Sequence, residues 1–358
     1  SLADRLPLPT GWRTALTDLG PQGVLQDLTA RWTGDVSAPS TYNVETTLAG
    51  LRVLPSRDGG QRPGLDGATV RLKANEREGQ AELAIQQGWL AFPGVFEEPT
   101  IPVERLQAQV RWTHQQGQWD VQVRKASFAN ADAQGTLEAR WRTSRPGERD
   151  AAGQPLQSLP GWLTLSGRLQ QAQATRVWRY LPLTIPPDTR AYVRDAFRSG
   201  TSEAVDFEVD GELNAFPFKD DVGGRFRVRV PLRDVTMAYV PPALLGLTDQ
   251  AERGVWAPLV GLQGLLRFEG QRMLVTDATG RLGTVGSGQF ELKNVQGEIA
   301  NLGDDNPRLT VSGQGKGPLG DALQFLARSP ISTWTGHALD AAQAQGQGSL
   351  ELALDIPL

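Results

Sequence analysis

Few side chains in this sequence are typed and spaced for chemistry. The 358 residues include two histidines, His114 and His337, and no cysteine, which excludes disulfides, thiolate metal sites and a cysteine nucleophile. The histidines are far apart and in no metal-ligand spacing, and His114, just after Trp112, reads as a solvated turn residue. Gly313, Gly315 and Gly317 surround Lys316, yet no Ser or Thr follows the lysine and the phosphate-loop spacing is absent, so a plain loop is expected. Asp304, Asp305 and Asn306 are adjacent rather than alternating and lack the distal Glu of a calcium loop. No carboxylate pair stands out among the 40 acids. The expectation is a protein without catalysis, metal or cofactor.

Composition narrows the partners. The formal charge is only −4, and Arg and Lys alternate with Asp and Glu instead of forming a basic stripe, so nucleic acid is not expected. No run approaches the roughly 18 apolar residues of a membrane span, and no signal-peptide pattern opens the chain. The start at Ser1 and the end within Leu350 to Ile356 read as cut ends of a longer protein, any anchor lying outside.

What residues there are must be positioned by strands. Gly79, Gly117, Gly135, Gly161, Gly224, Gly264, Gly288 and Gly348 are each followed by apolar residues at the second and fourth positions with mostly polar residues between. Successive strand side chains point to opposite faces, so each segment has one oily and one wet face. Each glycine is expected to supply the positive φ of the turn that opens its strand. Strands are expected at Val70–Ala74, Ala81–Ile85, Leu106–Trp112, Trp119–Val123, Leu137–Trp141, Gly161–Leu169, Val205–Val209, Phe226–Val230, Leu262–Phe268, Met273–Thr276, Phe290–Leu292, Leu309–Val311 and Leu350–Ile356. Short helices are expected over 11–19 with Thr10 as cap, over Thr175–Leu181, over Asp188–Ser199 stopped by Gly200, and over Leu319–Arg328 between Pro318 and Pro330. Residues 143–160, rich in Pro and Gly, read as a long polar loop between segments 1–142 and 161–358.

Roughly sixteen to twenty strands are too many for a flat open sheet, since such sheets rarely exceed about ten strands without curling or splitting. Two outcomes fit the periodicity. Either two sheets close as a sandwich or barrel, or one sheet bends into a gutter whose oily side stays partly open. In the gutter the wall would comprise Leu83, Ile85, Val110, Val121, Val123, Leu137, Leu163, Leu165, Phe207, Val209, Phe226, Val228, Leu266, Phe268, Phe290, Leu292, Leu350 and Leu352; each is equally readable as ordinary core. Trp112, Trp119, Trp141 and Trp162 would line the trough or stand as core and rim.

Several stretches, in order and spacing, resemble the central region of the YhdP-type, AsmA-like proteins of Gram-negative envelopes, a family related to TamB. They are Leu6-Pro7-Leu8-Pro9 leading to Gly23–Trp32, Asn130-Ala131-Asp132, Tyr180-Leu181-Pro182, Gly211-Glu212-Leu213 running into Phe216-Pro217-Phe218, Ser329-Pro330 and Leu354–Leu358. The resemblance implies a mainly β fold, a long twisted antiparallel sheet curled into an open groove with a few short helices. It implies a periplasmic region of an inner-membrane-anchored protein that lets phospholipids pass between inner and outer membranes, which it would meet through parts outside this chain. The alternative is a non-catalytic envelope assembly scaffold with a closed β core. A membrane-embedded barrel shares the alternation, but the helical insertions and uneven strands stand against it.

Overall fold

The computed structural model describes residues 19–35, 38–56, 62–150, 152–248, 251, 253–283 and 287–357. The helix expected over 11–19 lies outside them except for Leu19. Seventeen strands form one antiparallel sheet: β1 (Gln22–Asp35), β2 (Ala38–Val53), β3 (Gly64–Asn75), β4 (Glu78–Ala91), β5 (Thr100–Gln115), β6 (Gln118–Ala129), β7 (Gln134–Arg142), β8 (Trp162–Gln170), β9 (Ala172–Gln173), β10 (Phe197–Ser202), β11 (Val205–Glu212), β12 (Gly224–Met237), β13 (Leu259–Glu269), β14 (Arg272–Leu282), β15 (Glu291–Ile299), β16 (Arg308–Pro318) and β17 (Gln347–Pro357). From β1 to β8 each strand pairs with the next. The meander then passes through β11 and β12 to β17, with β9 extending β8 and β10 extending β11. Among the described residues β1 pairs only with β2 and β17 only with β16, so the sheet is open and no barrel forms. At about 4.8 Å per strand it runs about 70 Å.

The strands are bent, and at a consistent place. Asp27, Gly50, Gly67, Gln87, Lys125, Asp234, Gly261, Asp277 and Asn294 all have left-handed φ inside nine different strands, β1, β2, β3, β4, β6, β12, β13, β14 and β15. Register shifts accompany them, for example between Leu48 and Leu51, Leu232 and Val235, and Val275 and Ala278. An extra residue on one strand of a pair bends that strand and steepens its twist. Aligned from strand to strand, these bulges form a crease along the sheet.

The crease lies nearer one end of the strands, and the two ends differ. At the far end, connections 76–77, 116–117 and 270–271 are two-residue turns, and the longer ones are 143–161, 213–223 and 300–307; we call this end the hairpin lip. At the creased end every connection is longer, and three carry helical segments: a 3-10 turn at Ala174–Tyr180 with α1 (Pro187–Ala196), a 3-10 turn at Pro242–Leu245, and α2 (Leu319–Arg328) with α3 (Pro330–Trp334). This is the helical lip; the far end has only the 3-10 turns Leu213–Ala215 and Lys219–Asp221 among the described residues.

Two local expectations are corrected. The helix over Asp188–Ser199 ends at Ala196, and Phe197–Ser202 is strand β10, with Gly200 at φ +118° inside it rather than stopping a helix. The helix Leu319–Arg328 stands between Pro318 and Pro330 as expected, and Pro330 also opens α3 at its first turn, where Ser329 Oγ accepts from the Ile331 N–H. The Gly-Gln-Gly-Lys-Gly segment is not a loop: it lies in β16, where Lys316 stands opposite Glu291 and Ser349. The polar segment 143–160 links β7 to β8, which pair directly with each other.

Because an added Cβ at Gly261 meets nothing nearer than Asp234 Oδ1 at 3.7 Å, only its φ of +63° restricts it. Gly261→Val should therefore cost about 1–2 kcal/mol in urea unfolding, and Gly261→Asn clearly less, because Asn visits the left-handed region. Equal losses would show that the crease is not set by backbone conformation.

Candidate hydrophobic groove

Side chains on the oily face stand in rows across the strands. One row runs Thr46, Leu72, Ala81, Val110, Val123, Ala139, Leu165, Val209, Phe226 from β2 to β12, each residue opposite the next. A second runs Leu137, Gly167, Phe207, Val228, Phe268, Met273, Ile299, Leu309, Ile356 from β7 to β17. Neither contains a charged residue. Thr46, the one polar member, turns its hydroxyl to the Gln26 carbonyl at 3.3 Å.

Burial divides this face along the crease. At or beyond it, toward the helical lip, Ala68, Ile85, Val235, Leu262, Ala278 and Leu282 are buried, the first three at no more than 1% exposure. Ala68, Ile85 and Val103 form a closed cluster with Leu51, Leu65, Val70, Leu83, Leu90 and Leu106 packed on it. Toward the hairpin lip most of the same face is only half-buried, Val209 and Ile299 being buried exceptions.

Of the wall residues expected from sequence, Leu83, Val110, Val121, Val123, Leu137, Leu163, Leu165, Phe207, Phe226, Val228, Leu266, Phe268, Leu292 and Leu352 are half-buried. Ile85, Val209 and Phe290 are buried, and Leu350, on the edge strand, is 50% exposed. Register brings Val110 opposite Val123, Leu165 opposite Val209, Val209 opposite Phe226, Phe207 opposite Val228 and Val228 opposite Phe268.

The glycines have a second role that the sequence pattern does not show. Gly117, Gly161 and Gly288 do take left-handed φ at turns, and Gly264 has φ +153° inside β13; Gly79, Gly135, Gly224 and Gly348 do not have positive φ. A Cβ at Gly79 would overlap the Trp112 ring, one at Gly167 the Phe207 ring, one at Gly211 or Gly224 the Phe218 ring, and one at Gly315 or Gly317 the Phe290 ring. The missing side chain seats an aromatic ring across the strands. Phe218 is thereby fully buried, and Phe216 beside it rests on Phe226 with ring centroids 5.1 Å apart. Loop 213–223 thus folds back over the oily face, a finger at the hairpin lip.

The YhdP family model matches residues 1–358. The chain belongs to the YhdP family. That membership is consistent with lipid transport in the envelope. No curated protein and no solved structure matches the chain.

In this YhdP-family chain the tryptophans divide between faces. Trp112 and Trp141 stand in an oily-face row with Val121 and Leu163, and Trp141 Nε1 donates to the Pro160 carbonyl at 2.8 Å. Trp162 is on the outer face, its Nε1 3.1 Å from Asp210 Oδ1 and its ring beneath the Arg142 guanidinium. Trp119 stacks on His114 at 4.3 Å near the end of β5, which accounts for that histidine.

One constellation invites a catalytic reading. Ser332 Oγ donates to Asp340 Oδ1 at 2.6 Å, and His337 Nδ1 lies 3.0 Å from Ser332 Oγ and 3.1 Å from Asp340 Oδ2. A serine-activating imidazole uses one nitrogen for the serine and the other for the acid. Here Nδ1 faces both, so the cluster ties the turn after α3 to the helix. Among the described residues no group of three or more His, Cys, Asp and Glu is placed to hold a metal.

Buried charge pins the helical lip down. Arg179 reaches Asp132 Oδ2 at 2.5 Å and Glu98 Oε2 at 2.6 Å, Arg190 reaches Glu97 at 3.3 Å, and Tyr180 donates to Asp132 at 2.9 Å. Burial, assisted by Asp132, pushes the Tyr180 hydroxyl up to about 12. The segment before α1 is thereby tied back to the β4–β5 and β6–β7 connections, while Tyr192 Oη donates to the Tyr239 carbonyl at the end of β12. Farther along, Trp256 packs against Tyr239, Phe325 and Trp334.

Asp321, buried in the first turn of α2, accepts from the Ser287 N–H at 2.9 Å, the Ser287 hydroxyl at 2.8 Å and the Gln289 N–H at 3.2 Å. Burial raises its pKa, and these donors outweigh burial and hold it below the ordinary carboxylate value. Asp321→Asn should cost about 1–3 kcal/mol at pH 7. A depressed folded-state pKa gives stability that is complete above the unfolded value and lost as pH falls through the folded one, so the gap between the two proteins should close below about pH 4 in urea titrations. A gap that persists in acid removes Asp321 as the clamp.

Proposed function

We propose that this chain is a stretch of a phospholipid conduit between the inner and outer membranes of a Gram-negative envelope, standing in the periplasm and meeting the membranes through parts outside it. The observation that carries this reading is the half-buried oily face, unbroken by charge from β2 to β17. Burying an acyl chain is worth about 0.8 kcal/mol per CH₂, on the order of 12 kcal/mol for a sixteen-carbon tail. A lipid that leaves a bilayer must have that offset at every point of its route. Rows repeated strand after strand supply it without a deep well. No catalytic step is involved.

The second reading, a non-catalytic assembly scaffold, draws on the closed cluster of Ala68, Ile85 and Val103 under the helical lip. It accounts for the creased half of the face and leaves the other half uncovered.

Native mass spectrometry of gently purified protein should find phospholipid bound. Leu165→Asp and Phe226→Asp, on the half-open face, should lose that lipid while keeping the wild-type circular dichroism and unfolding midpoint within a few degrees. Unfolding of both variants would place these residues in a closed core and favour the scaffold.

A further inference from the structure

We infer that a phospholipid in this groove lies with its tails along the strands, its head group at the hairpin lip and its tail ends against the crease. The inference rests on the conduit reading and adds an orientation to it. The helical lip is covered over β3 to β5: Ala68, Ile85 and Val103 are buried there with Leu51, Leu65 and Leu90 half-buried against them, and the connections above are held by the ion pairs of Arg179 and Arg190, Val95 being the exposed apolar side chain of the β4–β5 connection. The hairpin lip over the same strands has only the two-residue turns 76–77 and 116–117, too short to fold back over the face.

Depth agrees with this. On β4 the oily face runs from Gly79 at the hairpin lip to Ile85 at the crease, six residue steps or about 20 Å. One leaflet contributes about 15 Å, half of a hydrocarbon core of about 30 Å. A tail therefore fits lengthwise between lip and crease. Lip chemistry also agrees: Asn75, Glu76, Arg77 and Glu78 at one turn and Gln115, Gln116 and Gln118 at the next present both donors and acceptors, as a phosphate with a polar or cationic substituent requires. The exception along this lip is the Phe216–Phe218 finger over β11 and β12, where a passing tail must lie against Phe216.

The chain has no cysteine, so one substitution gives one labelling site. Arg77→Cys and Gln115→Cys place a thiol at the hairpin lip, and Ala131→Cys and Leu244→Cys place one at the helical lip; all four side chains are exposed. Each protein would be mixed with phosphatidylcholine vesicles carrying a phosphatidylethanolamine whose head group bears a maleimide, and the thioether adduct counted by intact mass. Free maleimide would correct for thiol reactivity. A second probe, a phosphatidylcholine with a photoreactive diazirine at the tail end, would be mapped by peptide mass spectrometry on wild-type protein.

The expected result is at least tenfold more head-group capture by the Arg77→Cys and Gln115→Cys proteins than by the two helical-lip variants, with diazirine adducts near Leu83, Ile85 and Leu106. Equal capture at the two lips, or a preference for the helical lip, overturns the orientation even if diazirine adducts fall on the oily face, and the conduit reading then stands without it. No diazirine adduct on the oily face removes the conduit reading itself.

Discussion

The crease of left-handed residues is the constraint on which the rest of the molecule depends. A flat sheet of this width would offer its oily face to water along its whole length, an aggregation hazard. Bends at one level in nine of the strands turn the creased margin inward, where Ala68, Ile85 and Val235 are buried. Left-handed backbone at an ordinary side chain costs roughly 1–2 kcal/mol, as at Gln87 and Lys125, and less at Asp27, Asp234, Asp277 and Asn294, whose short polar side chains tolerate it. The cost is offset where the bend brings Ala68, Ile85, Val235 and Leu262 out of water. What stays half-exposed is the margin beyond the reach of the bend, so the width of the groove follows from where the bulges sit.

The outer face serves the same end by fixing register. Lys73 meets Glu45 at 2.6 Å, Arg168 meets Asp206 at 2.5 Å, Arg272 meets Glu298 at 2.7 Å and Arg308 meets Asp355 at 2.8 Å, all between neighbouring strands and all solvated. Each is worth at most about 1 kcal/mol. Their larger effect is on alternatives: a slip of one residue would turn every one of these charges onto the oily face and every Val and Leu out to water. The glycine and aromatic pairs add a second check, because Phe207 finds its place over Gly167, and Phe290 over Gly315 and Gly317, only in the native alignment.

Much of this is readable from the sequence, and the failures have physical causes. The period of two is a property of each strand alone, so the strands and the order of the meander can be placed from residues such as Phe226, Val228 and Val230. The crease cannot. Asp234, Asp277 and Asn294 look like members of the wet face in a list of alternating residues, and the available signal is their type: Asp, Asn and Gly are poor strand residues, so their recurrence inside strands marks irregular backbone. Gly79 and Gly224 mislead because a glycine required for space and one required for φ are alike in sequence, and only the ring lying across the strand tells them apart. Residues 197–199 continue the apolar spacing of α1, but their backbone groups find partners on β12, and tertiary pairing overrides local periodicity. Whether the oily face is open cannot be read at all, since a half-buried Leu165 and a buried Ile85 occupy the same kind of position in the pattern.

An open face that is chemically uniform behaves differently from a binding pocket. Apolar burial is worth about 25 cal/mol per Å² and has no direction, so a tail lying along β8 over Leu163 and Leu165 loses little by moving on to Phe207 and Val209 of the neighbouring β11. Each step exchanges like area for like area, and the barrier is the difference between neighbouring rows rather than the total. Charge anywhere in the row would break this, because a tail would have to strip water from an ion at that step. The exclusion of charge from β2 to β17 is therefore the property that separates a track from a collection of sites, and it holds even at Thr46, whose hydroxyl is turned into the backbone. The finger carrying Phe216 alters the shape of the track without altering its chemistry. A sheet kept free of charge on one face, bent along one line and closed on one margin is thus suited to movement along its length and poorly suited to retention.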